Sequence, residues 1–286
     1  MSRSAVKKLI STVPWYKEID ATSFESVDSQ CIGISNSLPP QEILRLATEN
    51  NFTHICQRQG LEFKKEIITS ENLIHAPESF FEFPVASVFS PNDLNRKSEM
   101  KFVSATANFN SSYKKREILD MFVKVMESKG VSQTISADVV SIADEMYTNA
   151  IFNAPFVDKK SVFNPGVDRS DTEIVLPRGR DGLLVLAHDK NRLMIACQDP
   201  FGALNIDGYL SKIKSTYERG AAASMNFGPG GAGIGSYIIF NTCVSFYVGV
   251  KSGRASIVAC VLPLGMSNRK RMLMPKHIHW LHLEEE

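Results

Sequence analysis

In Ala137–Asn153, ADVVSIADEMYTNAIFN, the residues Glu145, Asn149 and Asn153 recur every fourth position, while Val139, Ala143, Met146, Tyr147 and Ala150 fill the opposite side. That spacing makes a helix with one polar and one apolar face, because residues four apart lie one turn above another. An asparagine amide oxygen can ligate a hard cation, and a carboxylate one turn away can orient or deprotonate a nucleophile, so the polar face suits a metal–phosphate complex. A solvated polar face has the same pattern. Ser136 is the expected cap of this helix, and a helix capped by Ser111–Ser112 and ended by Lys129–Gly130 precedes it.

Downstream, Leu183–Ala187 and Arg192–Gln198 are apolar runs separated by His188-Asp189-Lys190-Asn191. Val244–Val250 and Ala255–Leu262 repeat the arrangement around Lys251-Ser252-Gly253-Arg254. Short β-forming runs joined by polar residues read as hairpins, and Lys101–Phe109 alternates like a further strand. The expected fold class is therefore α+β, a two-layer α/β sandwich whose antiparallel or mixed sheet carries helices on one face. The first hairpin runs into Asp199-Pro200-Phe201-Gly202-Ala203-Leu204. A carboxylate at a strand end can accept a hydrogen bond from an exocyclic amine, and a nearby glycine permits close backbone approach. An Asp-Pro turn that only closes the strand gives the same letters.

A glycine run, Gly228-Pro229-Gly230-Gly231-Ala232-Gly233-Ile234-Gly235, feeds Ser236–Phe240, which reads as a helix. Backbone N–H groups at a helix start lack intrahelical partners and attract phosphate. From Arg219 to Leu283 there are seven Lys or Arg and no Asp or Glu, so polyphosphate meets no local repulsion. Gly228, Gly230 and Gly233 fit G-x-G-x-x-G, but the residues before them make a poor strand and no acid lies about 20 residues downstream to bind a ribose. No G-x-x-x-x-G-K-[ST] occurs.

With 286 residues the chain is long enough for a sizeable core, and 32 Lys+Arg against 31 Asp+Glu leave a net charge of +1. No global field draws it to nucleic acid or to an anionic membrane. Cys31, Cys56, Cys197, Cys243 and Cys260 lack CxxC spacing and sit mostly in apolar runs, so buried reduced thiols and a cytoplasmic location are expected. Pro14, Lys17 and Glu18 interrupt the first residues before a signal-peptide core can form. Ala221–Val250 is uncharged, but its glycines, Asn226, Asn241 and Thr242 fit a buried helix and strand better than a lipid-facing span.

Residues 1–95 read as a small α/β regulatory or docking domain: a strand at Cys31–Ser35, a helix entered through proline at Pro40–Glu49, and a strand at Phe52–Cys56. That order resembles half of a receiver-like domain. The polar Ser90–Ser98 marks a boundary, residues 100–266 form the principal domain, and residues 267–286 form a C-terminal tail. Pro155–Asp181 is a long polar insertion. His277, His279 and His282 read as packing or surface histidines, with a metal cluster as the alternative.

Taken in order, Glu145-x-x-x-Asn149 on a helix, Asp199 with Gly202 after a strand, and Gly231, Gly233 and Gly235 before a second helix resemble the GHKL, or histidine-kinase-like, ATPases from Met100 to Leu264. Glu145-Met-Tyr-Thr-Asn149-Ala150-Ile151 is similar to the Glu-Ala-x-Thr-Asn-Ala-Ile helix of the bacterial anti-sigma-factor serine/threonine kinases. The resemblance implies ATP and Mg²⁺ as ligands. Asn149 would hold Mg²⁺, with Asn153 beside it, and Glu145 would act as base or orient the attacking hydroxyl. Asp199, flanked by Gly202 and Leu204, would recognise adenine. Gly231, Gly233, Ile234 and Gly235 would shape the phosphate loop, and Asn205–Phe227 would be a mobile lid. Lys212, Lys214 and Arg219 in that lid would neutralise phosphate, or else serve as solvated helix charges.

The implied partner is a small regulatory protein, a sigma factor or an anti-anti-sigma-like protein, with no direct nucleic-acid or membrane contact and room for a homodimer. Two departures keep other readings open. Phe201 stands where the family's Asp-x-Gly-x-Gly box has its first glycine, and Asn153-Ala154 stands where the serine kinases have His-Gly. One alternative is a nucleotide-gated binding module without phosphotransfer. Another is a histidine-kinase-like ATPase domain lacking its own phosphoacceptor, since none of His54, His75 or His188 sits on a dimerising helical hairpin.

Overall fold

The computed structural model describes residues 15–22, 27, 31–157, 160–161, 173–221 and 234–284. In chain order its strands are β1 (Tyr16–Glu18), β2 (Ile32–Ser35), β3 (His54–Gln57), β4 (Val103–Phe109), β5 (Phe156–Val157), β6 (Lys160–Ser161), β7 (Gly182–His188), β8 (Arg192–Asp199), β9 (Ser245–Lys251), β10 (Ala255–Pro263) and β11 (His277–Leu283). The helices are α1 (Pro40–Glu49), α2 (Phe63–His75), α3 (Glu78–Glu82), α4 (Pro84–Phe89), α5 (Arg96–Phe102), α6 (Lys115–Ser128), α7 (Gln133–Thr148), α8 (Ile206–Arg219), α9 (Gly235–Thr242) and α10 (Asn268–Met272).

Among the described residues nine strands form one mixed sheet in the order β1-β2-β3-β11-β9-β10-β8-β7-β4, and β5 pairs with β6 separately. The chain is therefore α+β. Both expected hairpins are present, with Leu184 opposite Cys197 and Val258 opposite Val248. β1, β2 and β3 run parallel, β11 pairs antiparallel with β3 and parallel with β9, and the remaining pairs are antiparallel. Residues 267–284, expected to be a tail, thus supply a central strand that joins β3 to β9.

Alternation along the strands sorts the core onto two faces. Leu193, Ile195 and Cys197 of β8 pack with α1, α6, α7, α8 and α9, whereas Met194 and Ala196 pack with α2 to α5. Helices α6 to α9 share one face, as expected for the principal segment. Helices also cover the opposite face, contrary to the expectation of a single helical layer, and they come from residues 63–102. Leu73, Phe80, Val85, Val88 and Phe89 bury their side chains there against Val185, Tyr247, Ile257 and Leu281. Both faces of the sheet are apolar, so leaving one uncovered would cost ~25 cal/mol for each Å² of apolar surface.

Local chemistry sets the helix ends that matter for the site. α7 starts at Ser132, whose hydroxyl accepts from Ile135 N at 3.4 Å, so the helix begins four residues before the expected cap and Ser136 is buried in its first turn. At its far end the last turn widens into a π-turn over Asn149–Asn153, a distortion common at functional sites. Asn205 caps α8 through Gly208 N at 2.9 Å, and Gly220, at φ +84°, ends it. The Ser111–Ser112 pair leads into α6 through a short 3₁₀ turn, with Ser112 Oγ instead accepting from Ile174 N at 3.0 Å.

Candidate functional site

A cavity of about 390 Å³ opens where α7, the π-turn, the end of β8, α8 and the start of α9 meet. α7 and the π-turn contribute Glu145, Met146, Asn149, Ala150 and Asn153. The β8 strand and the loop after it contribute Cys197, Asp199, Ala203, Leu204 and Asn205. α8 adds Gly208, Tyr209 and Lys212, α9 adds Ser236 and Ile239, and Val258 of β10 closes the floor. The volume falls within the ~300–1,000 Å³ of small-molecule sites, and the mix of apolar floor and convergent polar groups is what such sites carry. Of the residues singled out from the sequence, Glu145, Asn149, Asn153, Asp199, Leu204 and Lys212 line this one cavity.

The three residues at fourfold spacing are bonded in a chain. Asn149 Nδ2 donates to Glu145 Oε1 at 3.0 Å, and Asn153 Nδ2 donates to Asn149 Oδ1 at 2.6 Å. Glu145 also lies on the start of α9. A Cβ built on Gly235 would fall 1.8 Å from Glu145 Cδ and 2.0 and 2.2 Å from its two carboxyl oxygens, so any other residue at 235 displaces the carboxylate. Ile234, the N-cap of α9, makes no side-chain cap bond, and Glu145 is the anion placed beside the helix start.

At the end of β8, the Asp199 side chain is held by its own turn, with Oδ1 accepting from Phe201 N at 2.9 Å. Burial pushes its carboxyl up to about 6, against the opposing pull of hydrogen bonds from Phe201, Ser256 and Gly202. Cys197, two residues earlier on the same face, has its thiol pushed up by burial and by Asp199. The Tyr209 hydroxyl is pushed up by burial and then by Glu145. The cavity therefore brings together two acidic side chains, Glu145 and Asp199, one lysine, the Cys197 thiol and Tyr209 hydroxyl whose proton loss burial disfavours, and the start of a helix.

Several predicted residues serve elsewhere. Gly202 does not line the cavity: at φ +60°, its Cβ position would lie 2.1 Å from Lys251 O, so it admits the backbone of the β9–β10 turn rather than a ligand. Lys214 forms ion pairs with Glu49 of α1 and Glu218 and is absent from the cavity lining. The segment expected to be a mobile lid contains α8, packed between α1 and α9 through Leu210, Ile213 and Tyr217. Gly231 and Gly233, with the rest of residues 222–233, lie outside the described residues. His277 and His279 are fully buried on the opposite face, and among the described residues no group of His, Cys, Asp and Glu is arranged to hold a metal ion.

Sequence reasoning overlooked Cys197, Tyr209, Ser236 and Val258. Cys197 shares a strand face with Asp199, and Tyr209 stands one turn from Lys212 on α8, so both were within reach of periodicity. Val258 reaches the floor only because β10 pairs with β8 in a register that puts it opposite Cys197. Of the cavity's polar groups, the Asn149 amide oxygen and the Glu145 carboxylate are the oxygens of the wall formed by α7 and the π-turn that could meet a hard cation, and Lys212 is the cation that could meet an anion. All five cysteines are buried and free, and among the described residues no helix is long and apolar enough to cross a membrane. No protein-family model matches the chain, and no curated protein matches it.

Proposed function

We propose that the protein binds ATP with Mg²⁺ in the cavity between α7 and α8 and is a GHKL-type serine/threonine protein kinase acting on a small regulatory partner. The observation that carries this is the convergence of Glu145, Asn149, Asp199 and Lys212, drawn from three separate stretches of chain, on one cavity closed by the start of α9. Asp199 accepts from the adenine amino group. The α9 amides and Lys212 would hold the phosphates, and Asn149 would hold Mg²⁺ through its amide oxygen. That ion, when bound, would supply positive charge against the phosphates. Glu145 takes the proton of the partner's hydroxyl as its oxygen bonds to the γ-phosphorus, and the bond from that phosphorus to the β–γ bridging oxygen breaks, leaving ADP and a phosphoester.

Titration with a fluorescent ATP analogue tests the binding half. Asp199→Asn turns one acceptor oxygen into a donor, and loss of a hydrogen bond to a charged group costs ~1.5–3 kcal/mol, so affinity should fall ~10- to 100-fold. Absence of saturable binding to wild type ends the reading. Transfer of labelled phosphate to partner proteins tests the chemical half, and transfer that survives Glu145→Ala removes Glu145 from its role.

A second reading follows from the Glu145–Asn149–Asn153 chain, in which the base and the metal ligand are bonded to each other. In this reading the protein is a nucleotide-gated binding module without phosphotransfer. ATP then changes partner affinity with no phosphate transferred, and equal partner affinity with and without ATP rejects it.

A further inference from the structure

Lys276 lies in the segment between α10 and β11 and is almost wholly buried, with 1% of its surface exposed. Its ammonium donates to Asn241 O at 2.9 Å and to Cys243 O, and it sits 5.7 Å from the centre of the Phe240 ring. Those two carbonyls are at the carboxyl end of α9, where the last turn has no intrahelical donors and the helix dipole is negative. Among the described residues no carboxylate pairs with Lys276. Burial lowers its proton affinity, with Cys243 and Cys260 acting against that.

The backbone at this point is fixed independently. Gln57 of β3, itself fully buried, donates through Nε2 to Lys276 O at 2.6 Å, and His277 N donates to Val244 O at 2.9 Å. Lys276 therefore links β3 and β11 to one end of an eight-residue helix whose other end meets Glu145 at the cavity.

We propose that Lys276 is a positioning residue for the phosphate end of the nucleotide site, tying down the carboxyl end of α9 so that its amino end stays aimed into the cavity. The proposal rests on the nucleotide reading, but the tether itself exists without nucleotide. α9 is only eight residues, about 12 Å long, with Ile239 and Phe240 buried between its ends, so loosening its last turn is transmitted through that packing to its first. The cost should fall on phosphate recognition, because α9 faces the phosphates, and should spare the adenosine end held by Asp199 and Leu204.

The test compares wild type, Lys276→Met and Lys276→Gln by calorimetric titration with adenosine, ADP and ATP in Mg²⁺, and by hydrogen exchange of the α9 amides without ligand. Lys276→Met should weaken ATP about tenfold or more while adenosine stays within about twofold, with α9 amides exchanging about tenfold faster. Lys276→Gln keeps donors for both carbonyls and should fall between the two. Equal losses for adenosine and ATP, or unchanged ATP affinity in Lys276→Met, overturn the proposal. If wild type binds no nucleotide, the functional reading fails, and the exchange arm alone decides the tether: faster α9 exchange in Lys276→Met supports it and unchanged exchange overturns it. Should neither variant fold, exchange in wild type decides: amides of the last α9 turn as protected as those of β9 and β10 support the tether, and loop-like exchange overturns it.

Discussion

Two carboxylates are buried on opposite faces of the same sheet, and their surroundings differ. Glu66, on α2, accepts from Ser245 Oγ at 2.6 Å, from the Tyr247 hydroxyl and from His279 Nε2 at 3.0 Å. Burial pushes its carboxyl up, but His277, His279 and Ser245 more than reverse this and leave it lowered to about 2. Asp199, on the cavity face, meets only backbone amides and the Ser256 hydroxyl, and burial leaves it raised to about 6. The charge on Glu66 is fully answered by the fold. That on Asp199 is under-compensated and faces a cavity, which is the condition for a group that waits for a ligand's donor. The first is a structural joint between α2, β9 and β11, and the second is, in the proposed reading, a recognition group.

The largest effect should come from breaking the joint. Glu66→Ala leaves the Ser245, Tyr247 and His279 donors buried without their acceptor, and removing one partner of a buried charged network costs ~3–5 kcal/mol. Urea unfolding should show that loss, while the ATP affinity of the folded protein stays within ~3-fold, since Glu66 lies across the sheet from the cavity. A normal unfolding midpoint in Glu66→Ala, or a selective loss of ATP binding, would erase the distinction between the two carboxylates.

Acid separates them next. In the proposed reading adenine is recognised by ionised Asp199, and ATP affinity should then fall about tenfold per pH unit below about pH 6. Because the folded-state value of Asp199 is raised above 3.8, its contribution to stability moves the other way and diminishes as pH rises from 4 to 6. For Glu66 the folded-state value is lowered below 4.5, so it contributes stability above pH 4.5 that disappears as pH falls toward 2. The stability deficit of Glu66→Ala against wild type should therefore shrink across that window, at acidities where ATP binding has already gone. ATP affinity that stays flat from pH 7 to pH 5 would remove Asp199 from adenine recognition.

These contrasts also mark where the sequence is readable. The β7–β8 and β9–β10 hairpins follow from period-two runs around polar turns, and Glu145, Asn149 and Asn153 follow from fourfold spacing, because both signals are local. The central place of β11 is not local: His277 Nδ1 accepts from Gln57 N, 220 residues away, and no pattern near either residue encodes the pairing. α2 conceals its buried face because Glu66, Thr69 and Ser70 are among the residues it turns inward, which breaks the apolar stripe expected of a core helix. The role of Gly235 is visible only in three dimensions, where Glu145 occupies the space of its missing side chain. Glycine spacing alone marked the place without giving the reason.

The smallest expected effect probes the cavity most finely, through two lysines two residues apart on α8. Lys212 lines the cavity, and Lys214 turns toward α1, where it pairs with Glu49. A change of two residues on a helix rotates a side chain by about 200°, so the two cannot share a ligand. Lys212→Ala should weaken ATP ~5-fold relative to adenosine, as for one partly screened charge near phosphate. Lys214→Ala should leave ATP affinity within ~2-fold and cost under ~1 kcal/mol of stability, because Glu49 is half exposed and such pairs contribute little. Titration of both variants with ATP and adenosine reads the difference directly. If Lys214→Ala proves the more damaging for ATP, α8 must turn on its axis when nucleotide binds, and its contact with α1 becomes part of the binding reaction instead of a fixed wall.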